Sequence, residues 1–171
     1  MNNNIVYTIG YAGFNNRENF IKKLMKKGIT CVIDVRSQPY SAHYSDYNAD
    51  GLRVALKKEN IEYRNYARSF GARQLNKAYY SEEGYLSFKK FSSSEEFTSG
   101  MEEINKGMEK GYVFALMCAE KDPINCHRNI MVAREFFKKG YIVINLWPEA
   151  EDENQEELEE RLLKKYSLDH Y

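Results

Sequence analysis

Short apolar runs alternate with segments of helical periodicity along nearly the whole chain, and this order restricts the fold more than any other feature. Strands that alternate with helices form parallel sheets with helices on both faces. We therefore predict a single-domain α/β fold over residues 1–171, Rossmann-like and doubly wound, with a mostly parallel five-stranded sheet. Residues 149–171 are expected to form a C-terminal acidic helix.

The predicted strands and helices follow from local patterns. The strands are expected over residues 5–9, 31–35, 61–65, 112–118 and 141–147. The helices between them are expected over residues 15–28, 50–58, 93–111 and 123–139. Asn15 with Glu18, and Ser93 with Glu96, have the spacing of capping pairs at two helix starts. The strand at 112–118 is apolar without interruption, which predicts a central position buried on both faces.

The charge balance and the cysteines limit the class of protein. Twenty-five Lys and Arg residues balance 25 Asp and Glu residues, so the molecule has no strong positive field to gather polyanions without specificity. Three cysteines are an odd number, and Cys31 lies in an apolar run, which favours reduced thiols over a secreted disulfide framework. Neither a signal-peptide pattern nor a membrane-length apolar stretch occurs. We predict a cytoplasmic protein without membrane contact, of undetermined oligomeric state.

Three glycine-containing or polar pieces follow predicted strands. They are Gly10-Tyr-Ala-Gly13, Asp34-Val-Arg-Ser-Gln-Pro39 and Cys118-Ala-Glu-Lys-Asp-Pro-Ile-Asn-Cys-His-Arg128. Ligands of open parallel sheets bind beyond the carboxyl ends of the strands, where the strand order reverses. If the first and fourth strands are central neighbours, all three pieces meet there, and Gly10, Tyr11 and Ser37 are expected to contact the ligand. A tight turn explains the glycines equally well.

The third piece is expected to begin a helix. Asp122 suits the N-cap and Pro123 the first helical position, so Cys126, His127 and Arg128 should fall within the first turn and a half. An arginine there opposes the helix dipole unless an anion lies beside it. Arg128 thus either binds an anionic ligand or forms a structural ion pair with Glu120 or Asp122.

The cysteines offer several kinds of chemistry. A positive helix end and His127 would favour the Cys126 thiolate, which predicts a nucleophile. Cys118 either contacts the substrate or is an inert core residue. A zinc site from Cys118, Cys126 and His127 is conceivable, but neighbouring residues of a helix diverge, and we predict no metal. No cysteine has an arginine six positions later, so the anion loop of cysteine phosphatases is absent.

Two further features surround the expected site. Asp34 and Arg36 either form an ion pair or divide the work of a general base and an anion ligand. The long connections 37–47 and 66–85 are candidate walls. In the second, Arg68, Arg73 and Lys77 lie among aromatic residues, which suits either nucleic-acid stacking or a cover over the core.

Several of these motifs resemble the domain of unknown function 488 family. The resemblance rests on Thr8-Ile-Gly10, Asp34-Val-Arg-Ser-Gln-Pro39, Phe70-Gly-Ala-Arg73 and Leu116-Met-Cys-Ala-Glu-Lys-Asp-Pro-Ile-Asn-Cys-His-Arg128. It covers nearly the whole chain and implies an α/β organisation with a site at the last motif, but no reaction. Tyr11 stands where many members have His, and Asn145-Leu-Trp147 replaces a common His-Ile ending.

Three functional hypotheses follow. The first is an enzyme, a hydrolase or transferase without a cofactor, that acts on a small anionic substrate such as a nucleotide or nucleic-acid component. Arg36, Arg73 and Arg128 would bind the anion. Cys126 or Glu120 would react, and His127 and Asp34 would assist. The second is a non-catalytic module that binds a nucleotide or nucleic acid, and the third is a scaffold in which the polar motif only fixes the loop.

Overall fold

A parallel sheet between two layers of helices forms the centre of the structure, a computed structural model that describes residues 4–168. The strands are β1 (Ile5–Gly10), β2 (Cys31–Asp34), β3 (Glu62–Asn65), β4 (Phe114–Cys118), β5 (Ile142–Leu146) and β6 (Glu153–Asn154). The helices are α1 (Arg17–Lys26), α2 (Ala49–Lys57), α3 (Ala67–Phe70), α4 (Phe88–Ser92), α5 (Glu95–Glu109), α6 (Arg134–Lys138) and α7 (Gln155–Leu168). The predicted α/β class is confirmed.

The strand order is β3-β2-β4-β1-β5-β6. The connection from β1 to β2 runs toward one edge of the sheet, and the connection from β4 to β5 runs toward the other. The order therefore reverses between β1 and β4, which are parallel neighbours with Gly10 opposite Cys118. The expected adjacency of the first and fourth strands is confirmed, so three strand ends open into one region.

Each face of the sheet carries its own core. On one face, α1 and α2 pack through residues such as Phe20, Leu24 and Leu52, which are fully buried. On the other, α3 to α6 pack through residues such as Phe97 and Phe136. All five residues of β4 are buried, as the uninterrupted apolar run predicts.

The prediction of five strands was wrong, because a short sixth strand lies within the expected acidic helix. β6 pairs antiparallel with β5, and α7 begins only at Gln155. The segment before α7 is extended because Asp152 is bound to α1. Its carboxylate forms ion pairs with Lys23 at 2.9 Å and with Lys27 at 2.6 Å. Residues 169–171 of the predicted helix lie outside the described residues.

Two predicted helix caps were wrong by one residue. Asn16, not Asn15, accepts a hydrogen bond from the Asn19 main-chain N–H at 2.8 Å. Ser94, not Ser93, accepts one from the Phe97 N–H at 3.2 Å. Adjacent residues of the same capping type cannot be ranked by type alone.

The helix predicted over 123–139 is interrupted. Asp122 does accept from the Ile124 N–H at 3.0 Å, as expected of a cap, but the turn Pro123–Asn125 is a single 3₁₀ turn. Cys126 is then extended, and a π-helical segment, Arg128–Ala133, leads into α6. The expected placement of Cys126 within a helical turn was therefore wrong. No helix within residues 4–168 is long and apolar enough to cross a membrane.

Candidate active site

A cavity of about 310 Å³ opens at the carboxyl ends of β2 and β4, a volume at the lower end of the range for small-molecule sites, roughly 300–1,000 Å³. Its lining comprises Arg36, Ser37, Gln38, Tyr40, Ala72, Arg73, Cys118, Ala119, Glu120, Cys126 and His127. Both predicted walls, the connections 37–47 and 66–85, contribute to it. Seven sequence-predicted site residues meet here, and the other four, Gly10, Tyr11, Asp34 and Arg128, are outside the lining.

Arg128 lies directly behind the cavity and is fully buried. Its Nη1 donates to the Glu120 carbonyl oxygen at 2.6 Å and to Cys118 Sγ at 3.1 Å, and its Nε donates to Thr8 Oγ1 at 3.2 Å. Among residues 4–168, no carboxylate lies within 4.0 Å of the guanidinium. Burial lowers the pKa of Arg128 to about 10. The expected structural ion pair of Arg128 is therefore not the observed arrangement.

Asp122 has a different partner from the one considered for it. Its two carboxylate oxygens accept from Arg161 Nη1 at 2.9 Å and Nη2 at 2.8 Å. These hydrogen bonds lower the pKa of Asp122 against the opposing effect of burial. Arg161 is a residue of α7 and also pairs with Glu153. Its contacts with Asp122 therefore attach the loop that contains Asp122 to α7.

Cys118 and Cys126 are both buried at the cavity wall, where a disulfide joins their sulfur atoms, and Cys31 is the free cysteine of the described residues. The Cys118 sulfur contacts the Arg128 guanidinium. Of the two conditions predicted to activate Cys126, a cationic neighbour is absent, because the adjacent His127 is neutral near pH 7. The position before a helix is present, because the Cys126 carbonyl oxygen accepts from the Asn129 and Ile130 main-chain N–H groups at 3.0 and 3.1 Å. The buried guanidinium charge of Arg128 lies beside Cys118.

His127 has a fixed orientation. Its Nε2 lies 2.8 Å from the Val35 carbonyl oxygen, so the neutral ring carries its proton on Nε2 and leaves Nδ1 as an acceptor. Burial, assisted by Arg128, lowers the pKa of His127 below 6.5, although the Val35 contact opposes the shift. The ring is therefore neutral at pH near 7.

Glu120 supplies an exposed carboxyl group at the cavity wall. Desolvation raises the pKa of Glu120, and the Asp122 carboxylate adds to the rise while Arg128 opposes it. A carboxyl group with a raised pKa holds its proton closer to neutral pH than an ordinary glutamate does, which suits proton donation.

Asp34 and Arg36 form the ion pair that was one of the two sequence-based interpretations. Asp34 Oδ1 accepts from Arg36 Nε at 2.9 Å, and Oδ2 accepts from Nη2 at 2.8 Å and from the Tyr63 hydroxyl. Asp34 is fully buried, whereas Arg36 reaches the cavity with 8 % of its surface exposed. The neighbouring carboxylate raises the pKa of Arg36 despite burial. The carboxylate oxygens are thus occupied by protein donors.

Gly10 and Tyr11 support the site from outside the cavity. A Cβ atom at Gly10 would overlap the Glu120 carbonyl oxygen, so only glycine leaves room for the Glu120 main chain at this position. Tyr11 stacks on Tyr47 with ring centroids 4.3 Å apart, and its hydroxyl accepts from Arg36 Nη1 at 3.3 Å. Both positions fix the loops around the strand ends.

Ser37 and Arg73 join the two walls. Ser37 Oγ accepts from the Arg73 main-chain N–H at 2.9 Å. The Arg73 side chain is exposed and has no hydrogen-bond or ion-pair partner among the described residues. It is therefore available to a ligand. Arg68 lies elsewhere, in a groove beside β3, and Lys77 lines neither space.

Sequence reasoning did not identify several residues of this region. Gln38 and Tyr40 line the cavity. Gln38 lies in the Asp34–Pro39 motif, although it was not named as a site residue, and the only signal of Tyr40 was its position in a long connection. A buried polar network also runs behind Arg128: Thr8 Oγ1 donates to Asn145 Oδ1 at 2.6 Å, and Asn129 Nδ2 donates to Asn145 Oδ1 and to Gln155 Oε1. Polar residues at the strand positions of Thr8 and Asn145 could have indicated this network.

A family model described as "Domain of unknown function DUF488" matches residues 16–134, more than two thirds of the 171-residue chain. The matched range includes every residue of the cavity lining. No curated protein and no solved structure is significantly similar to the chain. The family resemblance is confirmed, and its description names no activity.

Proposed function

The chain belongs to the DUF488 family, and from that premise we propose that it is an enzyme that uses the thiolate of Cys118 on a small anionic substrate in the cavity. One observation carries the proposal. A buried guanidinium, Arg128, has a cysteine sulfur within 3.1 Å and no carboxylate within ion-pair distance in residues 4–168. A buried charge is costly without a counter-charge, and in the reduced protein a thiolate at Cys118 supplies one.

The attraction is large enough to matter. Two unit charges 3.1 Å apart attract by about 5 kcal/mol at an effective dielectric constant of about 20. Burial of the thiolate offsets part of this attraction. The remainder favours ionised Cys118 and assigns the nucleophile to this residue, because among residues 4–168 the Arg128 guanidinium donates to Cys118 Sγ and no cation donates to Cys126 Sγ.

The other lining residues fit auxiliary roles. The unpaired Arg73 binds the anionic group of the substrate at the cavity mouth. His127 offers Nδ1 as a proton acceptor, and the Glu120 carboxyl group, whose pKa is raised, protonates a leaving group. Arg36 and Asp34 act as positioning residues, since their charges satisfy each other.

Alkylation by iodoacetamide at a series of pH values tests the nucleophile, with labelled sites identified by mass spectrometry. In the Cys126→Ser variant, Cys118 should be labelled well below the pH of about 8.5 at which an ordinary cysteine ionises. Cys31 is an internal control, because burial raises its pKa to about 12 and it should stay unlabelled. Labelling of Cys118 only at alkaline pH would contradict the proposal. If Cys126 is labelled at low pH in the Cys118→Ser variant, Cys126 and not Cys118 is the nucleophile.

Protection by inorganic phosphate tests the anion site. Phosphate should slow the alkylation of Cys118, and Arg73→Gln should remove this protection. Arg64→Gln is the matched control, since Arg64 is an exposed arginine outside the cavity. Equal protection in both variants would exclude Arg73 from the site.

A non-catalytic nucleotide-binding module is the second candidate. Tyr40 is 59 % exposed and lines the same cavity as Arg73, and a ring beside a free cation suits a base and its phosphate. AMP should then raise the melting temperature, and Tyr40→Ala should reduce the shift, whereas Tyr85→Ala, an exposed tyrosine outside the cavity, should not. Binding of AMP with unreactive Cys118 would favour this candidate over the enzyme. If neither occurs, the scaffold hypothesis is favoured.

A further inference from the structure

The disulfide between Cys118 and Cys126 joins two sulfur atoms that line one cavity. The two residues are eight positions apart, and both are nearly inaccessible except through the cavity, with 3 % and 1 % of their surfaces exposed. Cys31, the third cysteine of the chain, is a buried residue of β2 and does not line this space. A reagent that reaches Cys118 therefore brings its bound group next to Cys126.

We propose that Cys118 and Cys126 form a dithiol–disulfide couple that reduces small anionic disulfides. This inference rests on the proposed function of Cys118 as a thiolate and names the substrate class for it. Cys118 attacks the substrate, and Cys126 resolves the resulting mixed disulfide.

The surroundings of the two sulfurs differ, and this difference assigns the roles. Arg128 Nη1 contacts Cys118 Sγ, so the cation stabilises the negative charge on the attacking sulfur. No guanidinium or ammonium group among residues 4–168 donates a hydrogen bond to Cys126 Sγ, so the reduced Cys126 stays protonated until the second step. Its extended backbone, between the 3₁₀ turn and the π-helical segment, directs its sulfur at Cys118.

The reaction balances without any further reactant. Cys118 S⁻ attacks one sulfur of R–S–S–R′, so a Cys118–S–S–R bond forms and R′–S⁻ leaves. The Cys126 thiol transfers its proton to the departing R′–S⁻, and its sulfur then attacks the Cys118 sulfur and releases R–S⁻. The pair has then lost two electrons to the substrate, and an external dithiol restores it by the same exchange in reverse.

The loop between the two cysteines, 119–125, is attached to Arg128 through the carbonyl oxygens of Glu120 and Lys121. Ala119 and Glu120 of this loop also line the cavity. The proposed couple therefore lies at the two ends of a loop that forms one side of the site.

The anionic character of the substrate follows from the cavity mouth. Arg73 is exposed and unpaired among the described residues, and Arg36, although paired, also reaches the lining. Glu120 is the carboxyl group of the same lining, against these two arginines and the buried Arg128 behind it. The excess of positive side chains raises the local concentration of anions and repels cations. A disulfide with carboxylate ends should therefore react faster than one of similar size with ammonium ends.

The test compares 3,3′-dithiodipropionate with cystamine, two short disulfides of opposite charge, on the full chain with Cys31→Ser. Mass spectrometry after alkylation should show that dithiodipropionate converts the parent to a form that has lost two hydrogen atoms and resists alkylation. The anionic reagent should react about tenfold faster or more at low salt, and the difference should shrink as salt is added. Equal rates would overturn the assigned substrate class.

Single variants separate the two steps. Cys126→Ser should stop at a mixed disulfide on Cys118, and Cys118→Ser should stay unmodified over the same period. If the parent also stops at the mixed disulfide, the couple is refuted while the proposed thiolate function stands. If Cys118 reacts with neither iodoacetamide nor the disulfide, both proposals fail.

Discussion

Replacement of Asp34 by Asn should destabilise the fold strongly, and the chain contains a matched control. Asp34 and Arg36 are two positions apart and buried, with side-chain exposures of 0 % and 8 %. Glu62 and Arg64 have the same spacing on the neighbouring strand but are 45 % and 60 % exposed. The substitutions Asp34→Asn and Glu62→Gln therefore remove the same charge from equivalent pairs that differ in burial.

The expected magnitude follows from the contacts of Asp34. Its carboxylate accepts from the Arg36 main chain, from the guanidinium and from Tyr63, and Asn would turn an N–H group toward one of these donors. Loss of one partner from a buried ion pair costs about 3–5 kcal/mol. At about 2–4 °C per kcal/mol for a domain of this size, the melting temperature should fall by roughly 6–20 °C.

Thermal and urea denaturation of both variants measure the difference. The exposed pair should contribute less than about 1 kcal/mol, because solvent screens its charges. The double variant Asp34→Asn with Arg36→Met should recover part of the loss, since it removes the uncompensated guanidinium as well. Equal, small shifts in the Asp34 and Glu62 variants would refute the buried ion pair as a structural element of the site.

Two other outcomes test the surroundings of the cavity. Gly10→Ala should lower the free energy of unfolding by about 1–3 kcal/mol, because its Cβ would overlap the Glu120 carbonyl, whereas Gly51→Ala in the open part of α2 should raise it by about 0.5–1 kcal/mol. Calorimetry of both variants checks the signs, and a harmless Gly10→Ala would contradict the packing. The parent should lose stability as pH falls below about 6.5, because the folded state, with the pKa of His127 lowered, binds fewer protons than the unfolded state. His127→Gln should flatten the curve in that range, and identical curves would refute the shift.

The sheet was predictable because its signals are local and redundant. Uninterrupted apolar residues mark β4 as central, and the alternation with helices predicts parallel strands. The sixth strand was not predictable from a pattern, since two residues carry no period. Its position depends on Asp152, which binds Lys23 and Lys27 from a distant part of the chain. Ion pairs between residues far apart in the sequence cannot be predicted from a short stretch of sequence.

The positions of the site residues were predictable from the sequence, but their contacts were not. The motif from Cys118 to Arg128 predicted where the site residues gather, since strand ends meet where β1 and β4 adjoin. Helix-based reasoning expected the positive charge at Cys126. The structure instead has a break at Cys126 and a wider π-helical turn that follows it. Arg128 therefore extends back under the strand end to Cys118, ten positions earlier.

Under the proposed function, the contact of Arg128 with Cys118 selects the reactive thiol, and this contact depends on the network behind Arg128. Thr8 accepts from the guanidinium and donates to Asn145, which also accepts from Asn129. These groups are neutral, so they orient the arginine without neutralising it. A carboxylate at the position of Asn145 would place a counter-charge near Arg128 and remove the reason for ionised Cys118. The proposed chemistry therefore requires a neutral side chain at Asn145, a residue of β5 outside the cavity lining, as well as the cysteine itself.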